Sequence, residues 1–227
     1  MQPFTVETGV IASIPTPNID TDVIMPKQFL KGIDRKGLAR GIFYDLRSSP
    51  ETYPDFALNR PATASPKFLV TGPNFGCGSS REHAVWGLIQ FGIRAIIGTT
   101  FGGIFADNAD NNGLLLIVCT PDDVDRLHEV ASQSACEITI DLECQTIALA
   151  DRVIPFEIGA ERKAAMLAGE DAIGRTEAIL NDLDAFETRY FAERPWLVEH
   201  NPSAENPSVR KPISISAASK VHSRPQD

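Results

Sequence analysis

The stretch Gly72-Pro-Asn-Phe-Gly-Cys-Gly-Ser-Ser-Arg-Glu-His-Ala84 gathers the side chains best suited to chemistry: two hydroxyls and a guanidinium directly after a glycine-rich turn. The pattern predicts a strand before the turn and a helix after it, which puts Ser79, Ser80 and Arg81 at a helix start. There the first N–H groups lack intrahelical partners and the helix dipole is positive, so an anion is favoured. Gly76 and Gly78 let a ligand approach the backbone closely. Arg81 adds a planar donor array that suits a carboxylate. A structural reading uses the same residues: Ser79 with Glu82 three positions on has the spacing of a capping box. The two readings are compatible, because a helix start that orders its own first turn presents Ser79, Ser80 and Arg81 with little reorganisation. Spacing excludes two nucleotide motifs. A dinucleotide fingerprint needs glycine where Gly76-x-Gly78-x-x-Arg81 has arginine, and G-x-x-x-x-G-K-[ST] is absent.

Other polar residues read more simply. Asp20 and Asp22, in Asn18-Ile-Asp-Thr-Asp22, suit ordering of a loop through side-chain to backbone bonds. His83 reads as a structural hydrogen-bonding residue on the helix, and Asn108, Asn111 and Asn112 as loop and cap residues. Cys77, Cys119, Cys136 and Cys144 have irregular spacings with no C-x-x-C, so they form neither a zinc ribbon nor an iron-sulfur motif. Cys77 lacks a matched histidine relay and reads as a packing thiol. A metal, if the chemistry needs one, belongs on another chain.

The elements that must position these groups follow from periodicity and turn residues. Thr5 to Ile14 is predicted as a strand, with Pro15, Pro17 and Asn18 as turn chemistry. Pro26 to Leu46 mixes short helical pieces, and Ser48 to Pro66 continues a long surface excursion. Phe68 to Val70 then begins a regular alternation. Helix is expected over Ser80 to Phe91, strand over Arg94 to Ile97, helix near Phe101 to Asn111, strand over Leu114 to Val118, and helix over Pro121 to Gln133. Asp122 and Asp123 suit the last helix's positive end. Glu137 to Leu142 and Thr146 to Leu149 read as a hairpin, with Phe156 to Ile158 a further strand. Ala164, Met166 and Leu167, then Ile179, Leu183, Phe186 and Tyr190, recur at helical steps and are expected to face a core. Strands alternating with helices imply an α/β fold.

The chain has 227 residues, 43% hydrophobic and 22% charged, enough to bury a core in one domain. No apolar run approaches the roughly 18 residues that span a bilayer, and no basic-then-apolar leader opens the chain, so the expected location is the cytoplasm. The net charge of -9 argues against nucleic acid or an acidic membrane surface as partner, so an anionic substrate must be bound by local groups. From 199 to 227, prolines and serines replace large apolar residues, which predicts a disordered tail after a folded body of 1–198.

These residues resemble a known family. Gly76-x-Gly78-Ser-Ser-Arg-Glu-His-Ala84 is similar to the signature of the swivelling domain of aconitase-type hydro-lyases, and Asn18-Ile-Asp-Thr-Asp22 to that domain's opening motif. With Cys77, Trp86 and an extension through Arg194-Pro-Trp196, the version here most resembles the small subunits of 3-isopropylmalate dehydratase. The resemblance implies a three-layer β/β/α swivelling domain with a C-terminal helical extension. It implies a heterodimer whose large subunit carries a [4Fe-4S] cluster, no cofactor in this chain, and a small hydroxy-dicarboxylate as substrate. The implied reaction removes and re-adds water between 2-isopropylmalate and 3-isopropylmalate in leucine biosynthesis. Ser79 then matches the base, and Ser80 and Arg81 the carboxylate grip, with Gly76, Gly78, Asp20, Asp22, Glu82 and His83 in support. Phe29-Leu-Lys-Gly-Ile-Asp-Arg-Lys-Gly37 resembles the family's substrate-recognition loop, with Leu30 and Ile33 against the alkyl group. Related hydratases for methylmalate, dimethylmalate or homoaconitate share the motif. A non-catalytic ligand- or RNA-binding domain is the reading from another class.

Overall fold

The alternating, β-branched segment Val6–Ile14 forms β1, and it lies in the middle of the sheet. In this computed structural model, which describes residues 1–30, 35–133, 136–170 and 180–200, seven strands join in the order β4-β3-β2-β1-β5-β6-β7. They are β2 Phe68–Thr71, β3 Ala95–Gly98, β4 Leu115–Val118, β5 Cys136–Asp141, β6 Thr146–Ala148 and β7 Val153–Pro155. β1 pairs in parallel with β2, β2 with β3, and β3 with β4. On its other side β1 runs antiparallel to β5, which continues antiparallel through β6 and β7. The strands are hydrogen-bonded into one continuous mixed sheet, half parallel and half antiparallel, with helices packed on it, the α/β class expected.

The sequence composition of each half follows its surroundings. Phe68-Leu-Val, Ala95-Ile-Ile and Leu115-Leu-Ile are fully apolar because both of their faces are covered, as parallel strands require. In β5 only alternate residues, Ile138 and Ile140, are buried. The side chains sort into two cores, one on each face. Ala12, Leu69, Ile96 and Leu116 point to the first, and Ile11, Phe68, Val70, Ile97 and Ile117 to the second. Because the side-chain period is two, a one-residue slip of β1 would exchange these sets, each fully buried aliphatic side chain being worth about 1.5–3 kcal/mol.

Helices α1 Thr21–Ile24, α2 Tyr44–Arg47, α3 Glu82–Phe91 and α4 Gly103–Asn112 join the parallel strands. Residues of all four lie in or against the first core: Ile24, Leu46, Leu88 and Phe105. α5 Pro121–Gln133 has the expected limits and places Val124, Leu127 and Ala131 in the second core. Apart from α2, the described residues between 26 and 66 run as short 3-10 pieces and turns, and they bury Leu38, Ile42, Phe43 and Leu58.

Several expectations change. The strand expected at Phe156–Ile158 lies earlier, at Val153–Pro155, because Gln145 takes both following amides: its carbonyl accepts from Phe156 N and its side-chain Oε1 from Ile158 N. In α6 Ala160–Ala168, Met166 is buried as expected, but Ala165 takes the inward position and Ala164 faces out. Contact-dense segments divide the chain into Met1–Arg175 and Thr176–Asp227. The second unit contains α7 Leu180–Glu193 and a 3-10 segment, Pro195–His200. Phe186 on α7 is 50% exposed rather than core-facing. Glu199 and His200 fall in the 3-10 segment. Ile179 and the rest of the expected tail lie outside the described residues. No described helix is long and apolar enough to cross a membrane.

Candidate active site

Three turns meet at the carboxyl ends of parallel strands, the usual place for a ligand in such sheets. They follow β1 (residues 18–22), β2 (residues 72–81) and β3 (residues 100–102). Backbone bonds lock the first to the second: Asn18 N to Pro73 O at 2.9 Å, Gly76 N to Ile19 O at 2.7 Å, and Thr21 N to Cys77 O at 2.9 Å. Gly102 N to Phe75 O, at 2.9 Å, locks the second to the third. Side chains repeat the pattern, Asn74 Nδ2 donating to Asn18 Oδ1 and Asn74 N to Thr100 Oγ1, both at 2.8 Å.

Glycine is required in the middle turn. Gly76 has φ +76°, and a Cβ there would lie 2.3 Å from the Phe105 ring; Gly78 has φ +92°. The positive φ at Gly78 redirects the chain so that Ser79 and Ser80 are exposed while Arg81 turns inward, its side chain 9% exposed.

The capping box is not formed. α3 starts at Glu82, two residues later than expected, and its N-cap is Arg81 in extended backbone without a side-chain cap bond. The Ser79 carbonyl is instead the acceptor for Thr21 Oγ1 at 2.8 Å. A tertiary bond from the first turn thus replaces a local one, and both serine side chains are turned to the surface. Glu82 leaves its capping role and accepts from Asn112 Nδ2 at 2.7 Å.

Asp20 and Asp22 divide their duties. Asp20 caps α1, its Oδ1 accepting from Val23 N at 2.8 Å, the backbone role expected of it. Asp22 does not order the loop through the backbone; it forms an ion pair with Arg81 Nη1, which also donates to Met25 O at 3.3 Å. Among the described residues Arg81 Nε and Nη2 have no protein partner, so the guanidinium is oriented with donors to spare.

His83 packs against Trp86, ring centres 4.7 Å apart. Asn112 is no loop residue: it ends α4 and bridges to α3, its Oδ1 accepting from Trp86 Nε1 at 2.9 Å. Leu30 is half-buried against the first core, and Ile33 lies outside the described residues. Sequence reading missed Thr21 and Gln90, ordinary polar residues whose partners lie between 52 and 58 positions away, and gave Asn112 only a loop or cap role.

An iron-sulfur cluster does not fit the donors of this chain. Among the described residues no group of three or more His, Cys, Asp or Glu side chains is arranged to hold a metal ion. Burial, then the charge of Asp123, pushes the Cys119 thiol up to about 11. Burial also raises Cys136, and a hydrogen bond with Asp141 raises Cys144.

Comparison with known proteins gives a consistent result. The family model described as the aconitase C-terminal domain matches residues 1–121. A 3-isopropylmalate dehydratase small subunit 2 of Salmonella typhimurium is 49% identical over 200 residues, covering 87% of this chain and 96% of that protein. A small subunit 1 of the same name from Mannheimia succiniciproducens is 48% identical, covering 87% and 99%. A solved structure of 3-isopropylmalate dehydratase from Methanocaldococcus jannaschii superposes with a TM-score of 0.60 at 25% identity, covering 79% of this chain and 99% of that one. The three locked turns therefore sit in a familiar framework: the chain belongs to the aconitase C-terminal domain family and, within it, to the 3-isopropylmalate dehydratase small subunits.

Proposed function

We propose that this chain is the substrate-gripping half of a hydro-lyase that interconverts 2-isopropylmalate and 3-isopropylmalate through 2-isopropylmaleate, in leucine biosynthesis. The observation that carries the reading is the Gly78-Ser-Ser-Arg81 turn, which exposes two hydroxyls beside an oriented guanidinium at the carboxyl ends of β1, β2 and β3. Residues 1–198 are the functional module.

In dehydration, Ser79 Oγ takes the carbon-bound proton and the hydroxyl departs with its electron pair, leaving the alkene. Rehydration at the neighbouring carbon returns the proton from Ser79. Ser80 and the free edge of Arg81 hold a substrate carboxylate, a charge-assisted interaction that fixes the carbon acid over the base. A serine hydroxyl is a weak base unless its alkoxide is stabilised. Arg81 supplies that field, while Asp22, half-exposed and screened by water, orients it at some cost to its charge. Gly76 and Gly78 shape the turn, Asp20 caps the helix that carries Asp22, and Glu82 and His83 brace α3 through Asn112 and Trp86.

The large subunit of a heterodimer completes the site. A [4Fe-4S] cluster held by that subunit would supply Lewis-acid help to the departing hydroxyl. Leu30, at the edge of the first core, faces the substrate's alkyl group. Substrate and product are small soluble acids, which suits a cytoplasmic enzyme.

The test is reconstitution of this chain with its large subunit, anaerobically and with iron loaded, following alkene absorbance from 2-isopropylmalate. Turnover is expected. Alkene formation from methylmalate, dimethylmalate or homocitrate-type acids but not from 2-isopropylmalate would replace the substrate, and no turnover of any of them would end the enzymatic reading.

A further inference from the structure

We infer that Asn112, at the far end of α4, is a positioning residue for the Ser79–Arg81 turn: it clasps the end of that turn to the same helix that grips its beginning. The inference rests on the proposed roles of Ser79 and Arg81, and it identifies what holds both ends of the segment that carries them.

That segment runs from Gly76 to Glu82, and α4 meets it at each end. At the beginning, Gly102 N, just ahead of α4, donates to Phe75 O at 2.9 Å. The Phe105 ring stands edge-on to the Phe75 ring, centres 5.6 Å apart, and a Cβ at Gly76 would strike it. At the other end, Asn112 Nδ2 donates to Glu82 Oε1 at 2.7 Å and to Asn108 O at 2.8 Å, while Asn112 Oδ1 accepts from Trp86 Nε1 at 2.9 Å. Phe105 and Asn112 are about two helical turns apart, so the helix keeps their contacts about 10 Å apart along its axis. α4 is thus a splint across the turn. Arg81 directly precedes Glu82, and Ala84 N donates back to Arg81 O at 3.0 Å, so a displaced Glu82 carries the Arg81 backbone with it.

Ending α4 does not require this side chain. Gly113, at φ +78°, is the C-cap, and its own N–H donates to Ala109 O. What Asn112 supplies is a donor and an acceptor at one point. An indole N–H only donates and a carboxylate only accepts, so the residue between Trp86 and Glu82 must accept from one and donate to the other, which an amide does. All three side chains are half-buried, which limits competition from water. The Trp86 ring is itself held by His83, at 4.7 Å, and by the Arg35 guanidinium, at 4.0 Å.

The experiment follows kcat/KM for 2-isopropylmalate against pH in the complex reconstituted with the large subunit. It uses wild type, Ser79→Ala, Asn112→Asp, Glu82→Gln and the double variant Glu82→Gln/Asn112→Asp, each with a thermal melt of the isolated chain. Asn112→Asp keeps the acceptor for Trp86 Nε1 but sets a second carboxylate against Glu82. At about pH 8 a loss of about tenfold is expected, within the range that a misplacement of about 1 Å produces. As pH falls, a proton shared between the two carboxyls restores a donor, so the deficit against wild type should shrink. His83 and Arg35 are common to every variant, so comparison with wild type at each pH removes their effect. Glu82→Gln retains an acceptor and serves as the reference for the double variant, in which donor and acceptor exchange places; there the deficit should be largely repaired at every pH. A wild-type profile in Asn112→Asp beside an inactive Ser79→Ala overturns the inference and leaves the proposed function standing. Retained turnover in Ser79→Ala overturns the role of the turn and the inference with it. A deficit that neither low pH nor the exchange repairs, or one that vanishes when rates are taken per folded chain, overturns positioning in favour of a role in folding.

Discussion

Arg94 and Arg81 stand at opposite ends of the parallel half, and both are largely withdrawn from water next to a carboxylate, yet they are built for different purposes. Arg94 is spent. Its Nε meets Glu7 Oε1 at 2.8 Å, its Nη2 donates to Pro3 O at 2.8 Å and to Gln2 O at 3.4 Å, and its guanidinium lies 5.3 Å from the Phe4 ring centre. Lys67 adds a second cation to Glu7 at 2.9 Å. Burial alone would raise the Glu7 carboxyl, but hydrogen bonds and charge from Lys67 and Arg94 outweigh it and hold the group below the ordinary glutamate range. Arg81 meets its two protein partners through one nitrogen, and its Asp22 is 43% exposed. The difference teaches how to tell a structural arginine from a working one: count the donors the protein itself has used.

The largest expected effect probes the working end. Ser79→Ala in the reconstituted complex should cut turnover by about 10² to 10⁴, the usual contribution of a positioned base, with no change in the melt. Retained turnover would remove Ser79 from the reaction. Next, Arg81→Lys preserves the charge but not the planar fork. A loss of about 10- to 100-fold in kcat/KM is expected, corresponding to a charge-assisted hydrogen bond, against little change in stability. If Arg81→Lys instead melts the protein while sparing activity, the two arginines do not differ as described.

At the spent end, Glu7→Gln leaves Arg94 and Lys67 without their anion and should cost about 1–3 kcal/mol in chemical denaturation, with activity per folded complex unchanged. The wild-type stability from Glu7 is present above the ordinary glutamate range and fades as pH falls through the depressed folded value. An acid titration should therefore show Glu7→Gln losing less stability than wild type. The smallest effect concerns His128, whose Nδ1 pairs with Ser13 Oγ at 2.8 Å. Burial lowers its pKa despite the Thr71 backbone and Asp125, so the folded state favours neutral imidazole. Stability is full above the unfolded value of about 6.5 and declines as pH falls below it. His128→Gln should flatten the melting midpoint between about pH 7 and 5. An unaltered slope would show that other groups dominate.

The helices and strands whose signals are local were readable in the residues. α5 begins at Pro121 with its two acids and ends where expected, because its amphipathic pattern and its start signals agree. The parallel strands were visible as short apolar runs. The start of α3 was misread because Ser79 and Glu82 satisfy a local rule that Gly78 and Thr21 override through a bond spanning 58 positions. Within the site, the motif pointed to Ser79, Ser80 and Arg81 as a group, but the Asp22 ion pair and the Asn112 clasp have no periodic or spacing signature. Such contacts become evident only when turns far apart in sequence are brought side by side.

The central place of β1 has a consequence for how the chain is made. β1 is synthesised early and finds β2 within about sixty residues, but its opposite edge waits for β5 at Cys136–Asp141. Until then a nascent chain carries an open strand edge, the kind of surface that recruits other chains. Closing so long a loop is also slow. Misassembly during synthesis, rather than weakness of the finished fold, is therefore the hazard built into this topology, and β5 is the strand whose arrival removes it.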